Sequence, residues 1–158
     1  MHKSKFHGAF VAVPDPRRCQ HGRVGAPDLL VIYAQAWREF DFRGQRADLN
    51  ARPVVLAPWH WRLDWQLWIA ACKGPNGTND RWFLSLLLKL LENDAATSSL
   101  LHANPFLDSA PPTHVRVSQY RYAFVEPDNG TEAVWTREPR RVLVRPVGAE
   151  ALREALRT

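Results

Sequence analysis

A chain of 158 residues fits one domain of ordinary size and argues against two. Apolar residues at 46% and charged residues at 23% exclude a disordered polar chain, and a chain this long can bury roughly 70% of its unfolded surface. Lys and Arg number 21 against 16 Asp and Glu, a net charge of +5, which is mildly basic.

Residues 1–27, with Pro14, Pro16 and Pro27 and no hydrophobic period, read as a loosely ordered arm, followed by a single domain over 28–158. Leu29-Leu30-Val31-Ile32-Tyr33 is apolar and rich in β-branched residues, the pattern of a buried strand. Trp37 to Arg43 has period two, with Phe40 and Phe42 on one face and Glu39, Asp41 and Arg43 on the other. These two runs form a hairpin, although its turn lacks an Asn-Gly pair. Pro53 to Pro58 is a short extended run. A helix starts near Trp61, and Trp61, Trp65, Trp68 and Cys72 fall on one helical stripe. Gly74-Pro75-Asn76-Gly77 stops it.

Asp80 is placed to cap the next helix, Arg81 to Glu92, which is nearly all apolar and is expected at the centre of the core. Asn93-Asp94 ends that helix and is placed to cap a third, Ala95 to Ala103. Val115 to Val125 is a long strand in which Val115 and Val117 have one parity and Tyr120, Tyr122 and Phe124 the other. A bulge near Ser118-Gln119 would bring all five to one side. Ala133–Thr136 and Val142–Arg145 read as short strands, and Gly148–Arg157 as a terminal helix. The expected class is α+β, an antiparallel sheet of about four strands against a central group of about three helices.

The longest apolar stretch, Trp82 to Leu91, is broken by Ser85 and Lys89, and a membrane span needs about 20 apolar residues. The patch Ala9–Val13 is short for a signal peptide, so a soluble chain is expected. With lysine only at positions 3, 5, 73 and 89, 21 − 4 = 17 of the basic residues are arginines. They are scattered, not massed on a stripe. Cys19 and Cys72 lack metal-ligand spacing, and one disulfide or two free thiols fit equally. Two N-x-T triplets, Asn76-Gly77-Thr78 and Asn129-Gly130-Thr131, fall in expected loops, where Asn-Gly is also an ordinary turn pair.

No Gly-rich phosphate loop and no G-x-S-x-G elbow is present, and no cofactor is expected. His60 and Asp64 stand at i, i+4, but no third ligand has a matching spacing, so no metal is expected. An enzyme built from His60, Asp64 and an arginine is one alternative function. An RNA binder stacking bases on Tyr120 and Tyr122 is another, but it lacks an aromatic-basic motif in register. The tryptophan stripe admits two readings: an amphipathic helix with its tryptophans in the core, or a partner surface, since Trp and Arg dominate interface hot spots. Asp64, among tryptophans, is the residue that amphipathicity explains least. If buried, it needs an arginine or backbone amides as partners, and Arg116 and Arg121 are candidates.

The stretch Ala57-Pro58, Arg62-Leu63-Asp64-Trp65-Gln66-Leu67-Trp68, Ala70-Ala71 resembles the signature A-P-H-Q-P-R-L-D-W-Q-M-W-F-A-A of the lipase maturation factor family. Trp37-Arg38-Glu39-Phe40, Trp82-Phe83, Asn104-Pro105-Phe106, Pro111-Pro112 with Val115-Arg116, Tyr120-Arg121-Tyr122-Ala123-Phe124 and Trp135-Thr136-Arg137 resemble further family segments in the same order. Trp59-His60-Trp61 departs from the family's H-Q-P. The resemblance implies the soluble C-terminal domain of a multi-pass protein of the endoplasmic reticulum that helps secreted lipases fold and assemble. It implies no catalytic residues, and membrane attachment only through segments this chain does not contain. The implied partner is a protein client such as a lipase, with no nucleic acid. Arg62, Asp64, Trp65, Gln66 and Trp68 are the candidate partner-binding residues.

Overall fold

The structure, a computed structural model, describes residues 28–34, 36–44, 47–51, 61–125, 130 and 132–158, with the side chains of 28 and 29 left aside. The arm expected over 1–27, the Pro53–Pro58 run, His60, and Asn129 and Thr131 of the second triplet lie outside the described residues.

Strands β1 (Asp28–Ala34), β2 (Arg38–Glu39), β5 (His114–Phe124) and β6 (Trp135–Gly148) form an antiparallel sheet in the order β2-β1-β5-β6. A second, two-stranded sheet joins β3 (Asp41–Phe42) to β4 (Leu101–Ala103). Between them run α1 (Arg62–Lys73), α2 (Pro75–Thr78), α3 (Arg81–Leu91) and α4 (Ala95–Ser98), and α5 (Ala149–Arg157) ends the chain. The class is the α+β arrangement that the element order implies. β1 meets β5 across more than eighty residues, from Asp28 opposite Arg121 to Ala34 opposite Val115, so the two ends of the domain close on each other through the middle of the sheet.

The β1–β5 register runs without a shift, so β5 carries no bulge against β1. Val115 and Val117 face the helices and Tyr120 and Tyr122 the other side, which corrects the expected bulge at Ser118-Gln119. Both faces of this strand are covered, so a strict alternation can be apolar at both parities. The irregularities lie between β5 and β6, whose register shifts three times. The two short strands expected there are one long strand bent by these shifts. Pro139 and Pro146 remove two N–H donors from this edge, and both devices discourage pairing with another chain.

The β1–β2 turn takes Ala36 and Trp37 through the left-handed region, at φ 59° and 54°. A tight hairpin needs these angles, which glycine or asparagine ordinarily supplies. Without them each residue costs about 1–2 kcal/mol.

α3 occupies the centre. Phe83, Leu86, Leu87, Leu90 and Leu91 are buried against Leu30, Ile32, Phe40, Phe42, Val115 and Val117. Leu152 of α5 closes the same cluster. Asp80 stands at the N-cap position of α3, but its side chain does not cap. Its Oδ2 accepts from Lys73 Nζ at 3.2 Å and Trp82 Nε1 at 3.4 Å. The expected third helix stops at Ser98, after one turn, and residues 101–103 pair with β3 instead, because Phe42 and Leu101 both need the core. Asn76-Gly77-Thr78 is a helical turn and not a loop. Thr78 is buried and donates to Pro75 O at 2.9 Å, and a Cβ at Gly77 would lie 2.5 Å from Ala70 O.

Asp94 does cap α4: its Oδ1 accepts from the Thr97 hydroxyl and backbone N–H, both at 2.7 Å. These two bonds, the hydroxyl's first, hold the Asp94 carboxyl below the usual aspartate range. A depressed native pKa adds stability above the unfolded value and loses it as pH falls through the native one. Asp94→Ala therefore lowers the thermal midpoint at pH 7, and the gap to the parent closes on acidification below the usual aspartate range. A gap independent of pH would show that the ionised cap contributes nothing.

Candidate partner-binding surface

The faces of α1 are assigned by its buried residues, Asp64, Leu67, Ala70 and Ala71. The tryptophan stripe lies off that face: Trp61 is 43% and Trp65 36% exposed, and Trp68 is half-buried. The reading that places these tryptophans in the core is thereby corrected. The small residues Ala70 and Ala71 let the helix approach β1 and α2 closely, and large rings would not fit there. Trp65 and Trp68 pack ring to ring at 5.4 Å. Arg43 lies over the Trp61 ring at 4.5 Å and is anchored by its donors to Ser99 O at 2.7 Å and Leu101 O at 3.3 Å. Arg62 is exposed and Gln66 half-buried, so Arg62, Trp65, Gln66 and Trp68 reach the surface in a ridge begun by Trp61.

Asp64 differs from its four neighbours. It is 4% exposed, and its Oδ1 accepts from Gly44 N at 2.7 Å. It sits in the first helical turn, where the unpaired backbone N–H groups favour a negative charge. A Cβ at Gly44 would come within 3.2 Å of that oxygen, so the glycine admits the carboxylate. The contact ties α1 to the segment after β3. Arg116, one of the arginines considered as its partner, stacks instead on Tyr33 and Trp37 on the sheet's far side.

Gln119, which sequence reasoning did not single out, anchors the other end of α1. It is buried, donates to Ala71 O at 3.0 Å, and accepts from Arg141 Nε at 2.7 Å. Its signal was a lone amide at the parity of Val115 and Val117, facing the helices.

Apart from Asp94, the shifted ionisable groups among the described residues lie on the sheet's far side. Tyr33 and Tyr120 join hydroxyls at 3.0 Å, and Arg137 Nη1 donates to Glu39 at 2.8 and 2.9 Å and to the Tyr122 hydroxyl at 3.3 Å. Burial raises the Tyr33 and Tyr122 hydroxyls, and it raises the Glu39 carboxyl although Arg137 pulls the other way. Burial would lower Arg137, but Tyr122 and Glu39 outweigh it and hold the guanidinium firmly charged. These groups satisfy one another, so they act as a polar clamp across β1, β2, β5 and β6. Tyr120 and Tyr122, the stacking residues of the RNA reading, are committed to this clamp. His114 is exposed on β5 beside Thr113, and no group of three His, Cys, Asp or Glu residues among the described residues is placed to hold a metal ion. Among them, too, no helix is long and apolar enough to cross a membrane.

The family model of the lipase maturation factor C-terminal domain matches residues 24–145, which include all six strands up to Arg145 and the whole α1 ridge. The chain belongs to the lipase maturation factor family. Lipase maturation factor 1 of Homo sapiens is 31% identical over 99% of the chain and 28% of its own length. Lipase maturation factor 1 of Bos taurus is 39% identical over 63% of the chain and 18% of its own length. Lipase maturation factor 2 of Homo sapiens is 38% identical over 64% and 14%. The chain thus spans less than a third of the length of the relatives it matches. No solved structure matches it. The family match ends inside β6, yet α5 beyond it buries Leu152 in the core, so the folded unit extends past the matched segment.

Proposed function

We propose that residues 28–158 form a single non-enzymatic module for folding or assembly, which binds a secreted lipase during its maturation in the endoplasmic reticulum. The client meets the α1 ridge through Arg62, Trp65, Gln66 and Trp68, with Trp61 beside them, while Asp64 positions the helix from below. Attachment to the membrane runs through segments other than this one, and neither cofactor nor nucleic acid takes part. The observation that carries this reading is the exposure of Trp61 and Trp65 on the helix that bears the most family-specific stretch. The ring surface left in water adds nothing to the fold, but Trp and Arg are the side chains that contribute most at protein interfaces. The relatives' names supply the client class. The shifted groups of the sheet's far side are mutually satisfied in a buried clamp, and the shifted Asp94 is spent on a helix cap, which suits a scaffold better than a reacting centre.

The test is capture of a purified secreted lipase by the immobilised chain. Trp61→Ala with Trp65→Ala is expected to weaken capture at least ten-fold while the chain stays folded at the assay temperature. Full capture by this double variant would remove the ridge from the contact.

A further inference from the structure

Among the described residues, a cation on the far side of the sheet from the α1 ridge lacks a counter-charge. Arg116 stands opposite Tyr33 in the β1–β5 register, facing away from the helices. Its guanidinium lies 4.8 Å from the Tyr33 ring and 4.2 Å from that of Trp37. Its Nε is buried, and among the described residues it has no hydrogen-bond partner and no carboxylate pairs with the guanidinium. The neighbouring acid, Glu39, is already taken by Arg137. The nearby Arg38 is stacked on Phe106.

Trp37 completes the arrangement. It is 44% exposed and reaches Arg116 from a turn in which it and Ala36 both hold left-handed backbone angles. Strain of this kind persists where the surroundings over-determine it, and it concentrates at binding sites. Here it puts a large ring, half in water, over a guanidinium whose Nε–H has no partner among the described residues.

We propose that Arg116 and Trp37 form a second contact site, which takes a carboxylate side chain flanked by an apolar residue on a partner polypeptide. The guanidinium offers a planar fork that matches a carboxylate, and the exposed part of the indole covers the apolar neighbour. The single charge of the guanidinium is balanced by one carboxylate, and Arg137 on the same face is already committed to Glu39 and Tyr122. The site lies across the sheet from α1 and stands independently of the ridge.

The test is a titration of the ¹⁵N-labelled chain, followed by NMR, with an acetylated and amidated tetrapeptide Leu-Asp-Leu-Asp and with its Leu-Asn-Leu-Asn counterpart. The Arg116 Nε–H and Trp37 indole N–H signals are expected to move together and saturably with the acidic peptide, and at least ten-fold more weakly with the amide peptide. Arg116→Lys keeps the charge but loses the fork, and is expected to weaken the acidic peptide at least ten-fold. Trp37→Ala leaves the guanidinium in place and is expected to weaken it as well, which covers the case in which Arg116→Lys disturbs the sheet. Equal shifts from both peptides, shifts confined to other residues, or undiminished binding by Trp37→Ala would each overturn the proposal. Inorganic phosphate binding more tightly than the acidic peptide would overturn the assignment to a carboxylate.

Discussion

Leu87→Ala is expected to lower the stability of this fold by about 2–5 kcal/mol, the range for truncating a buried leucine. Leu87 is fully buried on α3, among Leu30, Ile32, Phe40, Val115 and Val117, and elements from both ends of the chain converge there. The loss combines the transfer energy of the removed carbons with the void they leave, and walls formed by two sheets and a helix cannot all collapse inward. Urea unfolding followed by far-ultraviolet circular dichroism measures it. Leu100→Ala, at a leucine 53% exposed after α4, is the control and should stay within about 0.5 kcal/mol. Equal midpoints for the two variants would mean that α3 is not the centre of the core.

Asp64→Ala is expected to cost about 1.5–3 kcal/mol, the range for a hydrogen bond to a charged group. The substitution deletes the acceptor 2.7 Å from Gly44 N and strands that N–H beneath α1. Asp64→Asn keeps an oxygen in the same place and should fall between the parent and Asp64→Ala. Asp108→Asn, at an exposed aspartate in the turn after Phe106, should change nothing measurable. If Asp64→Ala behaves like Asp108→Asn, the carboxylate does not hold the helix. Because Asp64 reaches the fold and not the surface, a fall in client capture by Asp64→Ala should track its fall in stability. Trp61→Ala with Trp65→Ala should lower capture out of proportion to any loss of stability, and the two measurements together separate positioning from contact.

The elements with strong local signals were legible in the residues. The Leu-rich run gave α3 because apolar side chains recur through three turns with no breaker. Leu29 to Tyr33 gave β1, and the family-specific stretch gave α1. The order of strands and helices was enough for the α+β class, and the R-L-D-W-Q-x-W pattern was enough for the family. Asp64 was legible as a residue in need of a partner, because a carboxylate between tryptophans cannot be left bare in a core.

The tertiary structure decided which face of each element turns inward. Spacing puts Trp61, Trp65 and Trp68 on one stripe, but only the neighbours of α1 determine that Leu67, Ala70 and Ala71 face the sheet and the tryptophans face out. The same holds for β5: two apolar parities suggested a bulge until both faces of the sheet proved covered, one by helices and one by a tyrosine–arginine clamp. Residues 101–103 left the expected helix because Phe42, sixty residues away, offered a strand partner and a buried place for Leu101. Asp80 lost its capping role to Lys73 and Trp82, and Gly44 became the partner of Asp64, for the same reason. Periodicity reports which side chains share a face, whereas burial depends on what the rest of the chain brings against that face.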